Sequence, residues 1–277
     1  WNFVLALVGI LSGKAVDTYL LGFYATPREV GFYNIASSLT YNGTALLAAG
    51  LTSILLPFLA RAYGEGGIEK VRTIFAKWVP YYQFAGILLA GVGYILAGPI
   101  VRLLYGEAYD GVVIALQVMV ITSGVTIPIA AYSAIFAATD NQPAKFCYVA
   151  ASTLIAIISG AAFIPIWGYS GSLISCAVGN ALAYTVVSVI ARKSIGVEFP
   201  VARALRQWVS GGLAFAAVWP LAHYIGHFVA DVLAAMGYAV LYCALTFKLK
   251  VWTDDDLAKF SHECEGLRKL AKKLKSG

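Results

Sequence analysis

The sequence predicts an all-α, polytopic membrane protein with about eight transmembrane helices. Of its 277 residues, 60% are hydrophobic and only 12% are charged. A water-soluble domain of this length needs more polar surface than so few charged side chains can supply. Backbone groups have no water to bond in lipid, so a spanning segment is either a helix or a strand of a closed barrel. The alternation of polar and apolar residues that is typical of barrel strands is absent from this sequence, which favours helices.

Eight apolar segments follow one another along the chain, and most reach the ~20 residues that a helix needs to cross a ~30 Å hydrocarbon core. Charged residues, glycines and prolines separate them. The predicted spans are approximately 3–24, 31–59, 78–97, 112–138, 146–167, 170–191, 208–228 and 232–247. The last span is short and follows its predecessor almost directly.

Residues 248–277 are predicted to form a cytoplasmic, amphipathic and basic tail. Thr253 and Asp256 resemble a capping box, and lysines occupy the last turn, where the helix dipole favours positive charge. Apolar residues recur at spacings of three and four, typical of a single apolar stripe along a helix. These residues are Leu257, Phe260, Cys264, Leu267, Leu270 and Leu274. The tail helix is therefore expected to lie along the inner face of the membrane.

The basic residues are distributed unevenly between the two sides of the predicted membrane. If the tail is cytoplasmic, 17 of the 20 Lys and Arg residues lie on the cytoplasmic side, and Arg28 and Arg102 lie outside, with Lys14 inside the first span. This asymmetry follows the positive-inside rule. The chain is thus predicted to cross the cytoplasmic (inner) membrane with both ends in the cytoplasm. The net charge of +6 reflects this topology and not a nucleic-acid partner.

Two charged residues lie within the otherwise apolar first span. A carboxylate such as Asp17 at membrane depth costs roughly 2.5 to 3.5 kcal/mol on insertion scales, so it usually faces a partner, a wet cavity or a substrate path. Lys14 stands three residues earlier on the same helical face, where the two charges can neutralise each other. The alternatives are a static structural pair and a substrate or coupling-ion site. The placement of these charges predicts a transporter.

Several uncharged polar residues within the spans complete the candidate cavity. Side-chain amides can both donate and accept hydrogen bonds to a polar substrate, although an interhelical hydrogen bond is the alternative for each of Asn42, Gln83, Gln117 and Asn180. Tyr41, placed in the middle of a span, is the remaining candidate. Most other Tyr and Trp residues, Tyr33 among them, fall near span ends, where an interfacial aromatic belt explains them.

The sequence contains no motif that predicts catalysis or metal binding. His223 and His227 share a helical face but lack a third ligand. The four cysteines show no paired spacing, and neither a nucleophile elbow nor an HExxH motif is present. We therefore expect a protein that is not an enzyme, with no catalytic residue, no metal and no cofactor.

Five blocks of sequence resemble, in this order, the second half of the polysaccharide-type flippases. These are the O-antigen and lipid-linked oligosaccharide flippases of the multidrug/oligosaccharidyl-lipid/polysaccharide exporter superfamily, which also contains lipid II flippases and MATE drug exporters. The blocks are Asp17 followed by LLGFYATPREVGFYNIASSL, then LLPFLARAYGEGGIEKVR, GPIVRLLYGEAYDGVVIALQVM, FIPIWGYSGSLIS and TDDDLAKF.

The resemblance implies a protein about twice this length, with two six-helix lobes around a central cavity and two additional helices. Residues 1–191 would form the second lobe of this MATE-like architecture, 192–247 the additional helices and 248–277 the tail. A chain that starts with Trp1 is expected to be a fragment that lacks the N-terminal lobe.

The implied function is translocation of a polyprenyl-diphosphate-linked oligosaccharide by alternating access, for surface polysaccharide such as O-antigen or lipopolysaccharide. The implied partners are the lipid bilayer, the lipid-linked glycan, the N-terminal lobe and glycan polymerase or assembly proteins. A diphosphate needs a cationic cavity, and this half supplies only Lys14 at depth, so the other lobe would bring further positive charge. The alternatives are a MATE-like cation-coupled exporter of drugs or other small molecules and a non-transporting membrane scaffold of a glycan assembly complex.

Overall fold

The computed structural model describes residues 13–225 and 228–252, which are helical almost throughout. These residues form α1 (Gly13–Tyr24), α2 (Pro27–Tyr105), α3 (Gly111–Thr126), α4 (Ile129–Ala138), α5 (Gln142–Ile195), α6 (Val201–Ile225) and α7 (Phe228–Lys248), with a 3-10 turn at Glu107–Tyr109. No β-strand occurs among them, and the all-α prediction is confirmed. The predicted tail helix lies outside the described residues.

Helix α2 is a hairpin of two antiparallel passes. Gly66 and Gly67 leave helical geometry, and Gly67 adopts a φ of 61°, a region that suits glycine because it has no Cβ. The rings of Phe58 and Trp78 lie 5.9 Å apart, centroid to centroid. In a straight helix this separation along the chain would span about 30 Å. The chain therefore reverses at the two glycines, and α2 contributes a first half, 27–65, and a second half, 68–105.

Helix α5 reverses in the same way at Gly168, where φ is 53° and ψ is −125°. The hydroxyls of Ser159 and Ser175, on opposite sides of this reversal, lie 3.0 Å apart. Gly171 packs against the carbonyl of Phe163, and a Cβ at this position would collide with it. The first half of α5, 142–167, and its second half, 169–195, are therefore two closely packed passes.

Among the described residues, four helices are long and apolar enough to cross a membrane: Pro27–Tyr105, Gly111–Ala138, Gln142–Ile195 and Phe228–Lys248. The first and third fold back on themselves, so these four account for six passes. Within 111–138, α3 gives way to α4 at Pro128, a residue that has no backbone N–H to donate. Within the described residues, α1 and α6 lie in the first and seventh predicted spans, so each of the eight predicted spans coincides with a helical segment.

A capping box fixes the start of α2 and thereby the turn after α1. The backbone N–H of Thr26 donates to Glu29 Oε2 at 2.8 Å, and the N–H of Glu29 donates back to Thr26 Oγ1 at 3.4 Å. Pro27 occupies the first turn, where its missing donor costs nothing. This tight connection brings the C-terminal part of α1 alongside the start of α2.

Helices α6 and α7 pack together against the second half of α2. The hydroxyl of Tyr238 donates to the carbonyl of Ile87 at 3.1 Å, and Gln207 Nε2 donates to the carbonyl of Pro80 at 2.9 Å. Gly91 lies directly under the Tyr238 ring, where any side chain would collide. This close approach holds the last two helices against the rest of the bundle.

Candidate functional site

A cavity of about 460 Å³ lies between α1, the first half of α2, α3, α4 and both halves of α5. We call it the hydroxyl cavity, because ten of its lining residues carry a hydroxyl group. These are Tyr33, Ser37, Thr40, Tyr41, Thr44, Ser123, Tyr148, Ser152, Thr153 and Ser175. In the predicted topology they lie at membrane depth, within helices that are otherwise apolar.

Asp17 lines the hydroxyl cavity and is 4% exposed. The hydroxyl of Tyr33 donates to its Oδ2 at 2.7 Å. Its Oδ1 faces Gly160, where an added Cβ would stand 2.9 Å away, and it has no hydrogen-bond partner among the described residues. A buried polar atom of this kind normally has a partner, so an unpaired oxygen beside a polar cavity indicates a place for a ligand or a water molecule.

The sequence did not indicate the contact between Asp17 and Tyr33. Tyr33 was interpreted as an interfacial aromatic residue, but it is 3% exposed and buried against Asp17. The side chain of Lys14 lies outside the described residues, so its pairing with Asp17 stays a prediction. Of the residues that the structure describes, Tyr33 is the one that donates a hydrogen bond to this carboxylate.

Two further predicted residues, Tyr41 and Asn180, line the hydroxyl cavity together with Asp17. Tyr41 is 67% exposed, and Asn180 Nδ2 donates a weak hydrogen bond to Cys176 Sγ at 3.7 Å. Asn42 follows Tyr41 directly but does not line the cavity. Successive residues of a helix point about 100° apart, so Asn42 lies about 200° around α2 from Thr40, which lines the cavity, and faces away from it.

The remaining two amides lie elsewhere. Gln83 is 4% exposed within the second half of α2, and its Oε1 has no partner in the described part of the chain. Gln117 lines a second cavity of about 410 Å³ between α2, α3, α6 and α7, and its Nε2 donates to the carbonyl of Tyr94 at 3.4 Å. The structure therefore brings together Asp17, Tyr41 and Asn180, and it separates Gln83 and Gln117 from them.

The second cavity lies at the predicted outer ends of its helices and carries an ion pair. Arg102 Nε and Nη2 donate to the two carboxylate oxygens of Asp110 at 2.9 and 3.1 Å. This guanidinium holds the pKa of the Asp110 carboxyl below its usual range. Both side chains are well exposed, so solvent screens the pair and its contribution to stability is small.

The hydroxyl lining carries a signal that a sequence pattern could have found. In the first half of α2 the lining residues recur at spacings of three and four, the spacing of one helical face. They are Tyr33, Ser37, Thr40, Tyr41 and Thr44. A stripe of hydroxyls along an apolar span marks the face that avoids lipid.

The described residues include no group of three or more His, Cys, Asp or Glu side chains that could hold a metal ion. The expected absence of catalytic residues, metals and cofactors stays a prediction for the chain as a whole.

In the described part of the chain, long apolar helices that surround a polar cavity define a multi-pass, all-α membrane fold. Residues 1–114 match the family model described as "Polysaccharide biosynthesis protein". "Probable flippase AglR" of Haloferax volcanii is 26% identical over 244 residues, which cover 84% of this chain and 49% of that protein. The structure of "Lipid II flippase MurJ, inward closed conformation" matches with a TM-score of 0.73 and 14% identity, over 90% of this chain and 53% of that one.

The chain thus spans about half the length of the relative and of the solved structure that it matches. The structural likeness shows the fold. Together with the family model and the relative, it confirms the resemblance to polysaccharide-type and lipid-linked glycan flippases that the sequence blocks indicated.

Proposed function

We propose that this chain forms one lobe and two additional helices of a flippase that moves a polyprenyl-diphosphate-linked oligosaccharide across the cytoplasmic membrane by alternating access. The product would enter surface polysaccharide such as O-antigen or lipopolysaccharide. The observation that carries this proposal is the hydroxyl cavity of about 460 Å³, built within apolar helices. The likeness to two proteins named as flippases supports it.

The physical requirement for such a cavity follows from the substrate. Sugar hydroxyls lose their hydrogen bonds to water when they enter hydrocarbon, and each unpaired hydroxyl costs several kcal/mol on water-to-hydrocarbon scales. A wall of hydroxyls at membrane depth replaces these bonds while the lipid tail stays in the bilayer. The hydroxyl cavity supplies this kind of surface from four passes: the first half of α2, α3 and the two halves of α5.

The diphosphate needs positive charge, and no Lys or Arg is among the described residues that line the hydroxyl cavity. In the proposed arrangement Lys14 and the N-terminal lobe supply it. Residues 1–191 form the second lobe, 192–247 the additional helices and 248–277 the cytoplasmic tail. Both ends of the chain face the cytoplasm, where glycan polymerase or assembly proteins are the proposed partners.

A complementation experiment tests the function. The complete gene that encodes this chain is expressed in cells that lack their own oligosaccharide flippase, and surface polysaccharide is measured by immunoblot of whole cells. Restored polysaccharide supports the proposal. Drug resistance without polysaccharide would instead indicate a cation-coupled exporter and would overturn it.

A double variant distinguishes a flippase from a scaffold. With Asp17→Asn and Lys14→Gln combined, a flippase loses surface polysaccharide although the protein accumulates to its normal level in the membrane. A scaffold that transports nothing would keep the wild-type amount of polysaccharide in the same cells. Protein level is read from a blot of isolated membranes, so that poor insertion is not mistaken for lost transport.

A further inference from the structure

Three hydroxyls that line the hydroxyl cavity donate their hydrogen bonds to backbone carbonyls of their own helix. Ser37, Thr44 and Ser152 donate to carbonyls three or four residues earlier, at 3.1, 2.9 and 2.9 Å. A backbone carbonyl can only accept a hydrogen bond, so each hydroxyl must be the donor. Each of these side chains has only its lone pairs left to offer a ligand.

Two more of the lining hydroxyls, those of Ser175 and Tyr33, donate to other side chains of the protein. Ser175 Oγ donates to Ser159 Oγ at 3.0 Å, and Ser159 in turn donates to the carbonyl of Ala156 at 3.1 Å. The hydroxyl of Tyr33 is spent on Asp17. Five of the ten lining hydroxyls therefore leave mainly acceptor capacity toward the cavity.

Two buried oxygens of the wall have no partner at all in the described part of the chain. Asp17 Oδ1 and Thr40 Oγ1 both belong to side chains that line the hydroxyl cavity and are only 4% and 5% exposed. Buried oxygens are normally paired, and a carboxylate oxygen can be paired only by a group that donates. Asp17 Oδ1 therefore points to a ligand that brings a hydrogen-bond donor, whereas the Thr40 hydroxyl can either accept from a ligand or donate to it.

We infer that the hydroxyl cavity recognises sugars through the hydrogen bonds that they donate, and that it takes uncharged, hydroxyl-rich sugars in preference to sugars that carry a carboxylate. This inference rests on the proposed function and names its substrate class. A uronic acid replaces a donating hydroxymethyl group with two acceptor oxygens. It also brings a negative charge toward the carboxylate of Asp17, and two negative charges at short range repel each other.

The test compares two substrates that differ at one group. The complete protein is purified and reconstituted into liposomes with a radiolabelled polyprenyl-diphosphate-linked hexose or with the corresponding uronate. Both sugars contain vicinal diols, so membrane-impermeant periodate oxidises the molecules in the outer leaflet. The rate at which the inner-leaflet pool becomes oxidisable measures translocation.

We expect the hexose to cross about tenfold faster than the uronate, the ratio that corresponds to the loss of one well-formed polar contact. Equal rates, or a faster uronate, would overturn the inference and leave the proposed function standing. If neither sugar crosses faster than in protein-free liposomes, the proposed function fails as well.

The variant Asp17→Asn tests how much the negative charge of Asp17 contributes to the preference for the uncharged sugar. It removes the negative charge and adds an amide donor, so the ratio of hexose to uronate rates should fall severalfold. An unchanged ratio in a variant that elutes as a single species in gel filtration would contradict the inference.

Thr44 and Thr185 provide a matched pair that does not depend on the folding of the Asp17 variant. Each donates to the carbonyl four residues earlier at 2.9 Å, but Thr44 lines the cavity and Thr185 does not. Thr44→Val should slow the hexose severalfold, and Thr185→Val should leave its rate unchanged. Equal slowing by both would show that the hydroxyls act on the helices and not on the sugar.

Discussion

Replacing Tyr33 with Phe should destabilise the protein through a single lost hydrogen bond. The phenol oxygen lies 2.7 Å from Asp17 Oδ2, and both side chains are almost fully buried. Phenylalanine keeps the ring in place, so the variant loses only the hydrogen bond and leaves the buried carboxylate less well solvated. Hydrogen bonds to charged groups contribute about 1.5 to 3 kcal/mol, and we expect a loss of free energy of unfolding in that range.

A second Tyr→Phe variant supplies the scale for this measurement. Tyr132 is 1% exposed, and its hydroxyl accepts a hydrogen bond from the neutral Ser188 at 3.4 Å. Bonds between neutral groups contribute about 0.5 to 1.5 kcal/mol, so Tyr132→Phe should cost less. Denaturant unfolding of both variants in the same detergent, followed by tryptophan fluorescence, gives the two values.

A double-mutant cycle then isolates the pair. The effects of Tyr33→Phe and Asp17→Asn should not add, because each variant removes the same charged hydrogen bond. The coupling energy between the two substitutions should be about 1 kcal/mol or more, which corresponds to roughly one power of ten in the unfolding equilibrium constant. If Tyr33→Phe costs no more than Tyr132→Phe and the cycle shows no coupling, the carboxylate does not depend on this phenol and the reasoning is refuted.

Two further predictions concern the glycine that packs against Asp17 and the ion pair between Arg102 and Asp110. Gly160→Ala would place a Cβ 2.9 Å from Asp17 Oδ1 and should lower the free energy of unfolding by about 1 to 3 kcal/mol through overpacking. A Cβ at Gly212 would have nothing within 4 Å, so Gly212→Ala should be neutral or slightly stabilising in the same unfolding assay. Equal effects of the two variants would contradict the packing around Asp17. Arg102 lowers the pKa of the Asp110 carboxyl, so the difference in melting temperature between wild type and Asp110→Asn should be small, fully present above about pH 4, and lost as the pH falls through the lowered pKa of the folded protein. A difference that grows on acidification would have the wrong sign.

The eight-pass architecture could be predicted because membrane thickness sets the length of each apolar segment and lipid forces helices. The reversals at Gly67 and Gly168 fall between predicted spans, where glycine clusters indicated breaks. Helical structure continues almost without interruption on both sides of each reversal. The sequence therefore predicts the individual passes better than it predicts where each helix begins and ends.

The candidate site could be predicted only in part. Asp17 was found because an isolated carboxylate at membrane depth is costly and therefore conspicuous in the sequence. Its contact with Tyr33 depends on how α1 and α2 cross after the Thr26 turn, which periodicity within one helix does not determine. Gln83 and Gln117 have the same chemistry as Asn180, and only the packing of helices places them apart from it.

The hydroxyls were missed for a different reason. Ser and Thr are common in membrane helices, where they bond to their own backbone, so each one alone carries little information. The hydroxyls become informative only as a group, because those of α2, α3 and α5 meet around one cavity. A single helix shows only its own share of that surface.

The account's central claim is that the translocated sugar occupies the hydroxyl cavity, and cysteine protection tests it most directly. In the complete protein, with the native cysteines replaced by serine, Thr44→Cys and Thr185→Cys are treated with a water-soluble thiol reagent, with and without lipid-linked hexose. We predict that the thiol at position 44 is labelled and that the hexose slows its labelling, while labelling at position 185 does not respond to the hexose. A position 44 that is never labelled, or that reacts at the same rate with the hexose present, would contradict the claim.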